Sequence, residues 1–117
     1  MFNNAVIKKM KQYTNTILMI EPVDFCYNTE TAINNYYQKK CQNIIRSEIQ
    51  KLALKEFKYF VNKLRNVGVN VITFKDTKTP HTPDSIFPNN WISMHDDGFV
   101  MFYPMCAENR RDERRMD

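Results

Sequence analysis

A mixed α/β fold follows from three features of this 117-residue sequence. A continuous apolar run, Thr16-Ile17-Leu18-Met19-Ile20, has the make-up of a buried strand. A long stretch with helical apolar spacing comes next, and then a β-branched run, Val69-Asn70-Val71-Ile72-Thr73-Phe74. Strand, helix and strand in that order form a β-α-β unit, expected to be parallel with a right-handed crossover. Trp91-Ile92-Ser93-Met94-His95 and Phe99-Val100-Met101-Phe102-Tyr103 flank Asp96-Asp97-Gly98, which predicts a hairpin. A chain of this size supports one small core, so a single domain over 1–117 is expected.

Each element has its own signals. Residues 1–15 are polar and read as a lead-in. Pro22 ends the first strand because it lacks the ladder donor. Asn28 or Thr29 can start a helix with Glu30 in its first turn, and 31–66 are mostly helical in pattern. Ile45, Ile49, Leu52, Phe57, Phe60, Val61 and Leu64 recur at steps consistent with one apolar face, predicting an amphipathic helix over 44–66. Gly68 supplies its stop. The first strand is a continuous apolar run and is expected to be buried on both faces. The strands are apolar along both faces, so a unit this small is expected to leave apolar surface and strand edges uncovered. After Pro104, residues 108–115 read as the start of a helix or as a charged loop.

Composition narrows the function classes. Hydrophobic residues make up 43%, which excludes a disordered chain. The net charge of +4 sits in polar flanks and in the terminal arginines, without a Lys/Arg stripe interleaved with aromatics, so a nucleic-acid partner is not expected. Cys26, Cys41 and Cys106 are odd in number and widely spaced, fitting neither a disulfide framework nor a zinc site, and indicate a reducing compartment. No metal-ligand spacing links His81 or His95 to them. Without a secretory apolar segment or a bilayer-length run, the expectation is a cytoplasmic protein with no membrane partner.

Functional groups concentrate in two patches. Pro83-Asp84-Ser85-Ile86-Phe87-Pro88-Asn89-Asn90-Trp91 joins a carboxylate, two amides and two aromatics to rigid prolines. Glu108-Asn109-Arg110-Arg111-Asp112-Glu113-Arg114-Arg115 follows as an arginine cluster. Acceptors followed by arginines suit a small zwitterionic amino-acid ligand.

These patches, with Thr14-Asn15-Thr16-Ile17-Leu18-Met19 before them, resemble the guanidino-group-modifying superfamily of amidinotransferases, arginine deiminases and dimethylarginine hydrolases. The resemblance covers roughly 13–117 and is strongest to the bacterial branch described as amidinotransferase-related or citrulline-utilisation hydrolase. It implies a pentein fold, a five-bladed α/β propeller. The chain would then be an N-terminal fragment, about one ββαβ-type blade and the start of the next. The implied chemistry is thiolate attack on a guanidinium or ureido carbon, assisted by histidine, through a covalent intermediate. By the same resemblance Asp84 holds substrate nitrogens, Phe87 lies along the substrate, and Asn89 and Asn90 stand where dimethylarginine hydrolases carry an acidic pair. Arg110 falls near an arginine that holds the substrate carboxylate, and the loop 23–27 near the mouth of the site. The family's catalytic cysteine and histidine lie in later blades, so no catalytic residue is assigned here, and no cofactor or metal is implied.

Plainer readings stand beside these. Asp84 can cap a turn, and Asn89-Asn90 can complete one begun by Pro88. Trp91 opens an apolar strand and reads as core. Cys106 with Glu108 and His95 has no nucleophile signature; a lone cysteine is most often a small buried hydrophobe. The arginines can form helix-face pairs, Glu108–Arg111 and Asp112–Arg115. Two functional alternatives remain: a non-catalytic truncated or pseudo-enzyme binding module, and a basic nucleic-acid-binding α/β domain.

Overall fold

A computed structural model of the chain describes residues 13–40 and 43–115. Most of the polar lead-in, and Cys41, lie outside the described residues. In chain order come β1 (Thr16–Glu21), α1 (Arg46–Asn66), β2 (Asn70–Lys75), a 3-10 turn (Pro88–Asn90), β3 (Ile92–Met94), β4 (Val100–Phe102) and α2 (Glu108–Arg111). β1 and β2 pair in parallel, Thr16 opposite Asn70 and Glu21 opposite Lys75, with α1 as the crossover. β3 and β4 pair antiparallel, Ile92 opposite Phe102. The architecture is a small mixed α/β one, built from the strand-helix-strand unit and hairpin that the sequence predicts.

α1 begins two residues inside its predicted start and ends in a Schellman arrangement. Gly68 sits at φ +88°, and its N–H reaches Arg65 O at 3.0 Å while Val69 N–H reaches Leu64 O at 3.0 Å. These bonds satisfy carbonyls that the last helical turn would leave unpaired. At the other end Gln50 clamps the chain that leaves β1: its Nε2 donates to Pro22 O at 2.8 Å and its Oε1 accepts from Phe25 N at 2.6 Å. Arg46 adds a two-point contact to Asp24, Nε to Oδ1 at 3.1 Å and Nη2 to Oδ2 at 2.6 Å.

Two expectations are corrected. The helical pattern does not extend upstream of α1; residues 29–34 are turns instead. Asn28 Oδ1 captures Glu30 N (3.1 Å) and Asn35 Oδ1 captures Tyr37 N (3.1 Å), local bonds that compete with the helix ladder. Nor is the first strand buried on both faces. All of β1 is half-buried, and in β2 only Val71 is buried.

Val61 of α1 packs in the same core as Val71, while Ile72 and Phe74 on β2 stay exposed. The remaining apolar surface opens into two clefts. One of about 470 Å³ lies between β1 and α1, lined by Met19, Phe25, Leu52, Phe57 and Phe60. Another of about 410 Å³ has Leu18, Ile20, Phe74 and Trp91 in its wall. Trp91 is buried and stacks on Phe102 of β4, ring centroids 6.2 Å apart and planes 8° from parallel. That contact ties the hairpin to the motif.

Candidate functional site

The motif is held by a carboxylate at the end of β2. Asp76 accepts from Ser85 Oγ at 2.7 Å and from Arg115 Nη2 at 3.2 Å, and Thr82 Oγ1 lies 3.2 Å from its Oδ2. From that anchor the chain descends through successive tight turns. Ser85 N bonds Thr82 O (3.1 Å), Phe87 N bonds Asp84 O (3.0 Å), Asn90 N bonds Phe87 O (3.1 Å) and Trp91 N bonds Pro88 O (3.1 Å). Proline at 83 and 88, followed by Asp84-Ser85 and Asn89-Asn90, suits such a run, since proline presets φ and Asp and Asn accept turn geometry. Asp84 therefore does contribute to a turn, through its backbone carbonyl. Its side chain is left for other partners.

Asp84 is only 6% exposed. Its Oδ2 accepts from Asn28 Nδ2 at 2.8 Å and faces Thr31 Oγ1 at 2.9 Å. Thr31 Oγ1 also lies 2.8 Å from Gln38 Oε1, and its single proton serves one acceptor at a time. Oδ1 of Asp84 takes no hydrogen bond among the described residues. It is not sealed off either, because Trp91 Nε1 is the one buried side-chain polar atom without a partner among them. Oδ2 is thus fixed to the scaffold, and Oδ1 is left without a bond from the described residues.

Asn90 and Arg110 meet in a second cluster. Arg110 of α2 forks onto Glu113, Nε to Oε1 at 3.0 Å and Nη2 to Oε2 at 3.0 Å. Its Nη1 donates to Asn90 Oδ1 at 2.8 Å and its Nη2 to Phe87 O at 3.4 Å. Of five guanidinium donors, four are engaged, so Arg110 braces α2 against the 3-10 turn. Burial pushes the Glu113 carboxyl up, against the pull of the Arg110 hydrogen bonds and charge. Asn90 is exposed, and with its Oδ1 bonded to Arg110 its Nδ2 group makes no hydrogen bond among the described residues. Phe87 is 46% exposed, and Asn89 beside it is exposed as well.

The predicted helix-face pairs are not formed. α2 lasts a single turn, so the helical spacing is lost for Asp112 and Arg115, and within it Arg111 turns to backbone carbonyls instead of Glu108. Arg111 instead bonds the carbonyls of Met105 (3.0 Å) and Cys106 (2.9 Å), and Arg115 reaches back to Asp76.

Sequence reasoning missed three residues of this arrangement. Asn28, read as a helix start, is 1% exposed and bridges Asp84 to Asn109. Glu113 holds Arg110, and Asp76 holds the motif. Only Asn28 carried a local signal, since Asn followed by a polar stretch also suits an Asx turn.

One thiol-imidazole pair occurs away from the motif. Cys26 Sγ lies 3.8 Å from His81 Nε2. That nitrogen already sits 2.8 Å from Arg46 Nη2, which can only donate, so it has no lone pair to spare for the thiol proton. Burial pushes the Cys26 thiol up and Asp24 adds to this, outweighing Arg46. A nucleophile needs the opposite bias. Cys106 is exposed and contributes nothing to either cluster.

A family model described as N,N dimethylarginine dimethylhydrolase, eukaryotic, matches residues 21–117. The chain belongs to this family. Membership places it among guanidino-modifying hydrolases, in the pentein superfamily that the motifs resemble. No curated protein and no solved structure gives a significant match. Among the described residues, no helix is long and apolar enough to cross a membrane, and no group of three or more His, Cys, Asp or Glu is placed to hold a metal ion.

Together these groups bring a buried carboxylate, an exposed amide and an exposed aromatic ring into one turn run.

Proposed function

We propose that this chain is the substrate-holding N-terminal portion of a pentein-fold hydrolase acting on a citrulline-like ureido amino acid. The thiolate and imidazole of the reaction would come from chain outside these 117 residues. The single observation that carries the reading is the Asp84 carboxylate, buried and pinned through Oδ2 while Oδ1 takes no bond from the described residues, in the same turn run as the exposed Phe87. Oδ1 would accept from a ligand N–H, and Phe87 would lie along its aliphatic chain. Arg110 has one donor left, so it serves the ligand mainly by orienting Asn90.

The choice of ureido over guanidino follows from Asn90. A guanidinium offers donors only, whereas a ureido group adds an oxygen acceptor. With its Oδ1 committed to Arg110, Asn90 presents an N–H group, which matches the oxygen and clashes with a donor. Asn89, neutral where dimethylarginine hydrolases carry an acid, forgoes the charge-assisted bond a cation would want. Such bonds are about 1–2 kcal/mol better than neutral ones, or roughly tenfold in affinity.

Calorimetric titration with L-citrulline, L-arginine and N,N-dimethyl-L-arginine tests this. Citrulline is expected to bind most tightly, and Asn90→Asp to move the citrulline-to-arginine ratio about tenfold toward arginine. A wild-type preference for arginine or its dimethyl form, or an unmoved ratio in Asn90→Asp, rejects the reading.

A further inference from the structure

We propose that Asn28 is a positioning residue whose amide fixes the direction of the open Asp84 oxygen, so that ligand selectivity depends on a side chain that never touches the ligand. This rests on the assignment of Asp84 to the ligand head group made above.

Asn28 is the most deeply buried polar residue described, at 1% exposure. Its amide is fully used. Nδ2 donates to Asp84 Oδ2 at 2.8 Å and to Asn109 Oδ1 at 3.2 Å. Oδ1 accepts from Asn109 Nδ2 at 2.8 Å and from Glu30 N at 3.1 Å. Two donors and one two-lone-pair acceptor thus have four partners, the full capacity of a primary amide. Asn109 is held in turn: its backbone N–H donates to Glu30 Oε2 at 3.1 Å. One side chain therefore joins the turn after β1, the 83–91 motif and the start of α2.

The consequence for Asp84 is geometric. A carboxylate rotates easily about its last torsion, which is broad and two-fold. Thr31 alone does not fix it, because its hydroxyl is shared with Gln38. The Asn28 bond does, since the reciprocal pairing with Asn109 fixes which way Nδ2 points. Only an amide does this at position 28. An aspartate would set a second carboxylate against Asp84, and a serine is too short for both bridges. A head group bound through Oδ1 needs that oxygen in one place, because misdirection of a catalytic or binding group by a fraction of an ångström is costly.

The test compares two ligands that share an α-amino acid end but differ in the head group. L-Citrulline carries the ureido group that Asp84 would hold; L-norvaline has the same chain without it. Binding of both to the wild-type protein, Asn28→Ala, Asn109→Ala and Asp84→Asn is measured by calorimetry, with far-ultraviolet circular dichroism confirming the fold. Asn109→Ala is the milder variant, leaving Asn28 in place without its orienting partner. The expected result is a rise of about tenfold in Kd for L-citrulline in Asn28→Ala, and a smaller rise in Asn109→Ala, with L-norvaline within about twofold of wild type. Unchanged citrulline binding in both variants overturns the proposal, as does an equal loss for both ligands, which would mark Asn28 as merely structural. Asp84→Asn reads the underlying assignment separately: if it binds L-citrulline as wild type does, Asp84 is not the head-group acceptor. The positioning proposal alone fails if Asp84→Asn loses citrulline while the other variants keep it.

Discussion

Removing Arg110 should reveal how much of the motif's rigidity rests on one ion pair. In Arg110→Ala the Glu113 carboxylate, whose side chain is 1% exposed, loses both hydrogen bonds of the fork. Asn90 Oδ1 and Phe87 O lose their donor as well. Breaking one side of a buried pair costs about 3–5 kcal/mol, because the surviving charge stays desolvated. Glu113 has an escape, since burial already pushes its carboxyl up and it can take a proton once Arg110 is gone. That places the loss near the low end, about 3 kcal/mol at neutral pH, and smaller in mild acid. Against a typical domain stability of about 5–15 kcal/mol this is a large fraction. Trp91, the one tryptophan, is buried and reports the transition by fluorescence in urea. The double replacement Arg110→Leu with Glu113→Leu should recover most of the loss, giving a coupling of about 2 kcal/mol or more in the cycle. A cost below about 1 kcal/mol for Arg110→Ala, or a coupling of zero, would refute the view that this pair is buried and mutually dependent.

The same carboxyl sets a pH dependence. With its folded pKa raised, Glu113 binds its proton more tightly folded than unfolded, so its contribution is complete below the ordinary glutamate range and is lost as pH rises through the folded value. Wild type should lose stability relative to Glu113→Gln over that interval, and a widening advantage for wild type would contradict it. Gly98→Ala should cost about 1 kcal/mol in urea unfolding, because φ is +89° and a Cβ meets nothing within 4 Å, leaving backbone strain as the whole effect; Gly98→Asn should cost less. Cys26 should alkylate more slowly than Cys106 in peptide-resolved iodoacetamide labelling at neutral pH, and Arg46→Ala should slow it further by removing the charge that favours the thiolate. The exposed Ile72, Phe74 and Phe102 with the two open clefts should give strong binding of a hydrophobic dye to the isolated polypeptide; dye binding no greater than that of a compact globular control would count against it.

What the sequence made legible was the local and periodic part. α1, the parallel pair and the hairpin each follow from apolar spacing and from a glycine at positive φ, and they form within a residue or two of their predicted bounds. The stretch after β1 was misread because periodicity cannot weigh an Asn side chain that bonds its own backbone against a helix that would bury little. The motif stood out by its composition and was placed by its resemblance to the guanidino-group-modifying superfamily, with which family membership agrees. The partners of its side chains were not visible. Nothing local distinguishes Glu113, which holds Arg110, from Glu108, which does not, because the choice depends on how a one-turn helix docks. Strand burial failed for a related reason: an apolar run states what a strand can bury, and its neighbours decide what it does bury.

The Asn28 bridge also bears on the order in which the molecule can assemble. Its bonds to Asp84 and Asn109 join residues 56 and 81 positions apart. Such long closures add little to the entropy bill, about 0.6 kcal/mol per doubling of length, but they come late, after shorter-range structure has brought the ends together. During synthesis the parallel pair can register once β2 has emerged, whereas the bridge must wait for Asn109. Until then Asp84 has no fixed orientation. On the proposed assignment of Asp84 to the ligand head group, a nascent or partly opened chain would hold its β-α-β unit while lacking ligand affinity, and recognition would report completed folding.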